Sequence, residues 1–356
     1  MIESKHDLPI NIRLIYSVLN YGALMSIPRL SRPRCQIAAG KIARSLAGCD
    51  RNRGMGAIDH QRVISDLEPA LREVLLTRSN GPGLLRFAYH GGAILILGTL
   101  IALRVPLWFV LLPIQGILIA FLFTAMHECI HDTAFKSPFL NAAVSLLCGF
   151  VIIIPPAWFR YFHFAHHRHT HEPGLDPELQ SQKPQNIFAY VKHVSGFPVW
   201  TSNIRALVTN ALGRNADAFV PPKGKARVTF EARVMLALYF LIAIASVIWN
   251  SSLLIWTWIL PALLGQPFLR LFLLAEHTAC PHVENMFENT RTTFTTRLVR
   301  LIAWNMPYHA EHHALPTVPY HKLPVLHEAV RAHLKTTANG YARFNGELMA
   351  RLSKSN

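Results

Sequence analysis

The chain has 356 residues, 51% apolar and only 15% charged, with a mean hydropathy of +0.25; it is too apolar for an ordinary soluble domain and points to the membrane. Its 35 Lys and Arg against 20 Asp and Glu give a net charge of +15, but the cations are scattered between long apolar runs, so a lipid surface fits them and a nucleic-acid partner does not. The five cysteines (35, 49, 129, 148 and 280) form no CxxC pair, which argues against a disulfide scaffold and leaves Cys129 and Cys148 as small buried hydrophobes.

The N-terminus mixes acidic and basic residues, and Pro9 and Arg13 interrupt its apolar stretch, so no cleavable signal peptide is expected. Residues 10–27 have the pattern of an interfacial or an ordinary packed helix, and residues 1–85 are read as an N-terminal segment on the cytoplasmic side. Two apolar runs follow at 87–103 and 105–126, joined by a tight turn at Arg104. A second pair, 234–249 and 253–275, is hinged at Asn250-Ser251-Ser252 and interrupted late by Arg270. Runs of about twenty residues cross the hydrocarbon core, and the short third run does so by drawing on its flanks.

Between these pairs lies the apolar stretch 139–158, which contains Pro155-Pro156 and separates two histidine clusters. If it crossed the membrane, the clusters would face opposite compartments; it is therefore expected to be re-entrant or interfacial. The rest of the loop 127–233 alternates amphipathic pieces (NIFAYVKHV, NIRALVTNALG) with a linker, PPKGK, before the third span. Beyond Leu323 an amphipathic helix is expected, with Leu326, Ala329, Val330, His333 and Leu334 on one face, and 331–356 are read as a C-terminal tail. The predicted fold is an all-α integral membrane protein: four transmembrane helices within a domain spanning 86–330, and a cytoplasmic helical cap carrying the histidines. Nearly all Lys and Arg then share a face with both termini, which the positive-inside bias assigns to the cytoplasm.

Nineteen histidines are present, and their grouping carries the chemistry. His127-Glu-Cys-Ile-His131 directly follows the second run; His163-Phe-Ala-His166-His167 and His309-Ala-Glu-His312-His313 come later. On a helix, positions i, i+3 and i+4 share a face, so each cluster aims two or three imidazoles at one point. Eight such nitrogens are too many for one tetrahedral zinc and suit two metals of higher coordination. His90 reads as a satisfied helix residue, His282, His321, His327 and His333 as structural, and His169 and His171 as supporting or exposed neighbours of the second cluster. Glu128, Asp132, Asp176, Glu276 and Glu311 either orient imidazole N–H groups or are solvated charges.

The order HECIH, HFAHH and NMPYHAEHH resembles the membrane fatty-acid desaturase superfamily, which also holds alkane hydroxylases and carotenoid ketolases and hydroxylases. The resemblance covers roughly 85–330, and the stretches THEPGLDPEL and HALPTVPYHKLPVLHE are similar to bacterial members, which implies a bacterial inner membrane. It implies that His127, His131, His163, His166, His167, His309, His312 and His313, with His277 from LLAEHTACP, ligate two irons. His169 and His171 depart from the minimal pattern. Molecular oxygen as co-substrate and a lipid-like chain as substrate follow, most specifically an acyl desaturase, with an alkane or carotenoid hydroxylase or ketolase as the rival. From other classes, a zinc-dependent membrane hydrolase would hold one zinc rather than two irons, and a metal transporter would place its ionisable groups near the bilayer midplane rather than at span ends. No haem domain or ferredoxin-like cysteine cluster is visible, so an external donor is expected, a ferredoxin or small cytochrome with its reductase. Lys5, Arg13, Arg29, Arg32, Arg34, Lys41, Arg44, Arg51 and Arg53 would dock it or bind anionic headgroups.

Overall fold

Lipid offers no hydrogen bonds to a backbone, so an apolar run that enters it must pair its own N–H and C=O groups as helix. The apolar runs do so in the computed structural model, which describes residues 59–354; the expectations for residues 10–27, for the basic N-terminal side chains, and for Cys35 and Cys49 lie outside the described residues. Short helices α1 (His60–Ser65) and α2 (Pro69–Leu76) precede α3 (Gly81–Ala102) and α4 (Trp108–Ile130), the first two spans. The turn between them is as tight as expected, with Arg104 and Leu107 at positive φ. The Arg104 guanidinium lies 3.9 Å from the Trp108 ring centroid and 4.6 Å from that of Trp256, a cation–π anchor of the kind found at membrane edges.

Next, α5 (Pro138–Ile152) and α6 (Pro156–Arg168) meet at a bend of 98°. Ile153 closes α5 in the left-handed conformation, and Pro156 opens α6, where its missing N–H costs nothing. Gly149 is required here: a Cβ would sit 2.5 Å from the Ile154 carbonyl oxygen and 2.5 Å from the Pro156 ring. The bend turns the stretch expected to be re-entrant back toward the end of α4. After it come α7 (Ile187–Val194), α8 (Phe197–Ala211), and the last two spans, α9 (Pro222–Ile248) and α10 (Ile255–His277), the latter opening with a π-helical turn over Ile255–Ile259. Three of the four spans are longer than their apolar runs, α9 by the most, because a helix continues into its polar flanks. The PPKGK stretch is accordingly the start of α9 and not a linker.

Spans α4 and α10 touch at glycines. A Cβ on Gly116 would lie 2.0 Å from the Pro261 carbonyl oxygen, and one on Gly265 would lie 1.9 Å from that of Gly116, the close backbone approach that small residues permit between membrane helices. Both spans run toward the histidine side, so their C-terminal ends emerge together. Beyond α10, the helices α11 (Met286–Asn289), α12 (Arg297–Ile302), α13 (His309–Ala314), α14 (Leu323–Val330) and α15 (Tyr341–Leu352) surround a small parallel pair, β1 (Thr292–Phe294) and β2 (Thr337–Asn339), in the register Thr292 to Thr337. This pair is the one addition to the all-α expectation among the described residues. The helix expected beyond Leu323 ends at Val330: Leu326 and Val330 are buried, Ala329 is exposed, and Arg331–His333 form a 3₁₀ turn. Phe344, Leu348 and Leu352 of α15 then pack with Leu274 and Ala275 of α10.

Candidate metal centre

Each histidine cluster occupies the end of an element fixed by bonds far away in sequence. His127 and His131 sit on the last turn and C-cap of α4, and between them Glu128 is fully buried, its Oε1 accepting from the Tyr320 backbone N–H at 2.8 Å. The N-terminus of α6 is held by α9 and the loop before it: Glu231 Oε1 of α9 accepts from the Ala157 N–H at 2.7 Å, and Trp158 Nε1–H donates to Asp217 of the loop at 2.7 Å. That clamp sets the rotation of α6, and hence the direction of His163, His166 and His167. His277 is the last residue of α10. The third cluster, on α13, is tied to β1, where the Thr293 N–H donates to the Pro307 carbonyl at 2.9 Å and the Thr292 hydroxyl to Glu311 at 2.5 Å; Glu311 also accepts from His327.

Two groups of imidazoles result. His127, His131, His163, His167 and His312 offer nitrogens all within 4.8 Å of one another, as do His166, His277 and His313. His309 joins the second group, its Nε2 3.1 Å from that of His277. The groups adjoin: the His167 and His313 rings stack at 4.0 Å. Within the first, His131 and His163 bring their Nε2 atoms to 2.9 Å, and His163 and His167 to 2.8 Å. The nine residues, one set in the sequence resemblance, are one cluster in space.

The electrostatics favour neutral rings with free lone pairs. Burial, then the neighbouring imidazoles, hold His131, His309, His312 and His313 well below the ordinary histidine value. His127 and His312 are buried with neither ring nitrogen paired, and His277 Nδ1 and His313 Nε2 are also buried without partners. Buried nitrogens in such numbers call for a ligand, since an unpaired buried polar atom costs about 1–3 kcal/mol. An all-imidazole donor set divided into two adjoining groups fits two transition-metal ions and no oxygen-seeking cation such as magnesium or calcium.

Of the five candidate carboxylates, Asp176 and Glu276 are the two that reach these rings. Asp176 Oδ1 accepts from His166 Nδ1–H at 2.9 Å, and Glu276 Oε1 lies 3.6 Å from His309 Nδ1. Burial depresses His166, but Glu178 and Asp176 outweigh it and the net shift is upward. The other three candidates do different work: Glu128 and Glu311 bind the surrounding scaffold, as above, and Asp132 pairs with Arg160 at 2.9 Å. Glu178, 4.0 Å from His166 and 3.5 Å from Lys183, was not singled out by the sequence reading; its place two residues after Asp176 was the available signal. The two additional histidines part company. His169 is bonded to Glu172 at 3.0 Å, whereas His171 is buried with both ring nitrogens unpaired, its centroid 5.6 Å from that of His277. His90 is satisfied, 2.8 Å from the Leu118 carbonyl and accepting from Trp304 Nε1–H at 3.2 Å.

Residues 105–345, which contain all nine histidines, match the fatty acid desaturase family. The chain belongs to that family. A sphingolipid delta(4)-desaturase DES1-like protein of Arabidopsis thaliana is 27% identical over 217 residues, 58% of each chain. A protein of the same description from Oryza sativa subsp. japonica is 26% identical over 268 residues, 73% of this chain and 75% of the relative. The chain therefore spans a little over half the length of the first relative. Family membership and four candidate spans together make it an integral membrane protein.

Proposed function

We propose that this protein introduces a double bond into the alkyl or acyl chain of a membrane lipid, using two irons bound by His127, His131, His163, His166, His167, His277, His309, His312 and His313. The observation that carries the reading is the pair of adjoining, buried, all-imidazole groups; family membership supports the desaturase-type reaction, and iron is the metal that such a reaction would use at a nitrogen-ligated site. Both relatives are named for desaturation of sphingolipids, which supports double-bond formation over hydroxyl insertion.

Two irons held by these histidines would supply the oxidising power needed to take hydrogen from an unactivated C–H bond. In the overall balance, two hydrogens leave the chain, and these with two further electrons and two protons reduce one oxygen molecule to two waters. The protein's own task is positioning. Neutral imidazoles bind the cations without adding negative charge. Asp176 holds the proton on His166 Nδ1, so that Nε2 faces inward. The burial of His309, His312 and His313 keeps bulk water from the rings. The two further electrons come from a separate acidic carrier, a ferredoxin or small cytochrome with its reductase, meeting the basic cytoplasmic face.

The test is mass spectrometry of total lipid from a host making the full chain or its His312→Ala variant, with iron counted in both purified proteins. A chain two mass units lighter, made only by the parent protein with about two irons per chain, is the expected result. A gain of one oxygen atom would replace desaturation by hydroxylation, and one zinc per chain would end the di-iron reading.

A further inference from the structure

The two imidazole groups differ in their access to solvent. In the first, His131 and His167 are partly exposed, whereas His166, His277 and His313 of the second are all buried, and so is His309. An ion bound for the second group must cross protein to reach it. Two histidines outside the nine stand on that path. His171 lies in the loop after α6, 6% exposed and with neither ring nitrogen hydrogen-bonded. Its ring centroid is 5.6 Å from that of His277 on one side and 4.7 Å from that of His282 on the other. His282, in the loop that follows α10, is exposed. Imidazoles thus run from solvent to the closed group as His282, His171 and His277.

The spacing suits the passing of an ion from ring to ring. Within the first group, rings that would share an ion have centroids from 4.3 Å apart (His127 and His163) to 6.4 Å apart (His163 and His312), so each of the two steps lets neighbouring imidazoles grip one ion together. His171 stands outside the trio His166, His277 and His313, whose nitrogens lie within 4.8 Å of one another; it adjoins the group and is not one of its ligands. Its backbone is held, the N–H donating to Asp176 Oδ2 at 2.9 Å, while its ring has no hydrogen bond to restrain it. A neutral imidazole offers one lone pair at a time, so a ring in this position takes an ion from one neighbour and gives it to the next. Imidazole also prefers transition-metal ions to magnesium and calcium, which seek oxygen.

We infer that His282 and His171 form the entry route for the ion of the second imidazole group: His282 captures a divalent transition-metal ion from solvent, and His171 passes it to His277. The inference rests on the two-metal reading above and is independent of the reaction carried out there.

Metal release from the loaded full chain tests it without requiring turnover, because a route that speeds entry speeds exit by the same factor and leaves the equilibrium unchanged. The probe is cobalt(II), whose imidazole complexes absorb visible light: the purified chain carrying two cobalt ions is mixed with excess EDTA and the absorbance is followed. In the His282→Ala and His171→Asn chains one ion leaves about tenfold more slowly than from the parent, the lower end of what groups around a metal site are worth, while the other leaves at the parent rate. Cobalt affinity at equilibrium, measured by chelator competition, stays that of the parent for both ions. Asn is chosen at position 171 because it tolerates the positive φ of 66° found there. His282 is exposed, so His282→Ala tests the route even where the buried substitution fails to fold. Release unchanged in His282→Ala, an equal slowing of both ions, or a fall in equilibrium affinity, which would make these histidines ligands, overturns the inference. A parent chain that holds only one cobalt ion would sink the two-metal reading and the route with it; two ions with unaltered release would sink the route alone.

Discussion

Replacing Gly265 by Ala adds a single methyl group far from any histidine, yet it should loosen the metal centre. The new Cβ would lie 1.9 Å from the Gly116 carbonyl oxygen, where side-chain carbons essentially never come within 3.0 Å. Both groups belong to helix backbone that cannot turn aside, so α4 and α10 must separate by about 1 Å. Overpacking on this scale costs roughly 1–3 kcal/mol, or about 2–12 °C in melting temperature. Gly265 precedes His277, and Gly116 precedes His127, by about three turns of helix, roughly 17 Å, and a rigid helix carries the displacement along its length. Metal ligands tolerate about 0.5 Å. Iron retained through dialysis against a chelator should therefore fall together with the melting temperature. The matched control is Gly92→Ala on α3, where a Cβ meets nothing within 4 Å; it should stabilise by a few tenths of a kcal/mol to about 1 kcal/mol. If Gly265→Ala matched Gly92→Ala in melting temperature and in iron per chain, the Gly116–Gly265 contact would not be setting the spacing of the two ligand-bearing spans.

Asp176→Asn replaces an acceptor of three N–H bonds (from His166, His171 and Glu178) by a group whose amide nitrogen must face one of those donors; metal affinity measured by chelator competition should drop about 10- to 100-fold, and an unchanged affinity would remove Asp176 from the orienting role. His90→Ala leaves the fully buried Trp304 N–H unpaired, so it should cost about 1–3 kcal/mol of stability while iron per chain stays at the parent value; loss of iron would make His90 part of the centre. Acidification should destabilise the metal-free chain. His131, His309, His312 and His313 lie below the ordinary 6.5 when folded, so the unfolded chain binds more protons and stability falls as pH drops below about 6.5; His166, shifted upward, has the opposite sign but is one group against these four. A melting temperature that is the same at pH 7.5 and 5.5 would contradict this.

The clusters were legible because their information is local. The i, i+3, i+4 spacing of His163, His166 and His167 is a property of any helix, and span length against bilayer thickness gave four crossings. The parity argument over 139–158 needs only that two clusters share one side, and His131 and His163 do meet, at 2.9 Å, although the chain between them bends by 98° at Ile153 and Pro156. What escaped the sequence is non-local. Nothing in the spacing says that Glu231, on the third span, caps α6, or that Asp132 turns to Arg160 while Asp176 turns to His166. The five candidate carboxylates look alike as neighbours of histidines, and only packing separates the two that face rings of the nine-histidine cluster from the three that brace the scaffold. The helix beyond Leu323 failed in a related way: its apolar periodicity continues past Val330, but the strand β2 has to pair with β1, and that pairing ends the helix.

Helix α6 makes the histidine site and the cavity lined by Arg160, Arg168 and Lys223 one mechanical unit. Arg160 lines the cavity and also binds Asp132, the residue directly after His131, while Arg168 follows directly on His167. An anion that drew Arg160 away from Asp132 would free the carboxylate next to His131. The clamp from Glu231 and Asp217 resists rotation of α6 in response. Because α6 is short and anchored twice at its start, any group held on its cavity-lining face would keep a fixed distance from its histidines. A fixed distance of that kind is what placing a double bond at one position along a uniform chain of methylenes demands, since neighbouring methylenes differ in nothing but their distance from the end.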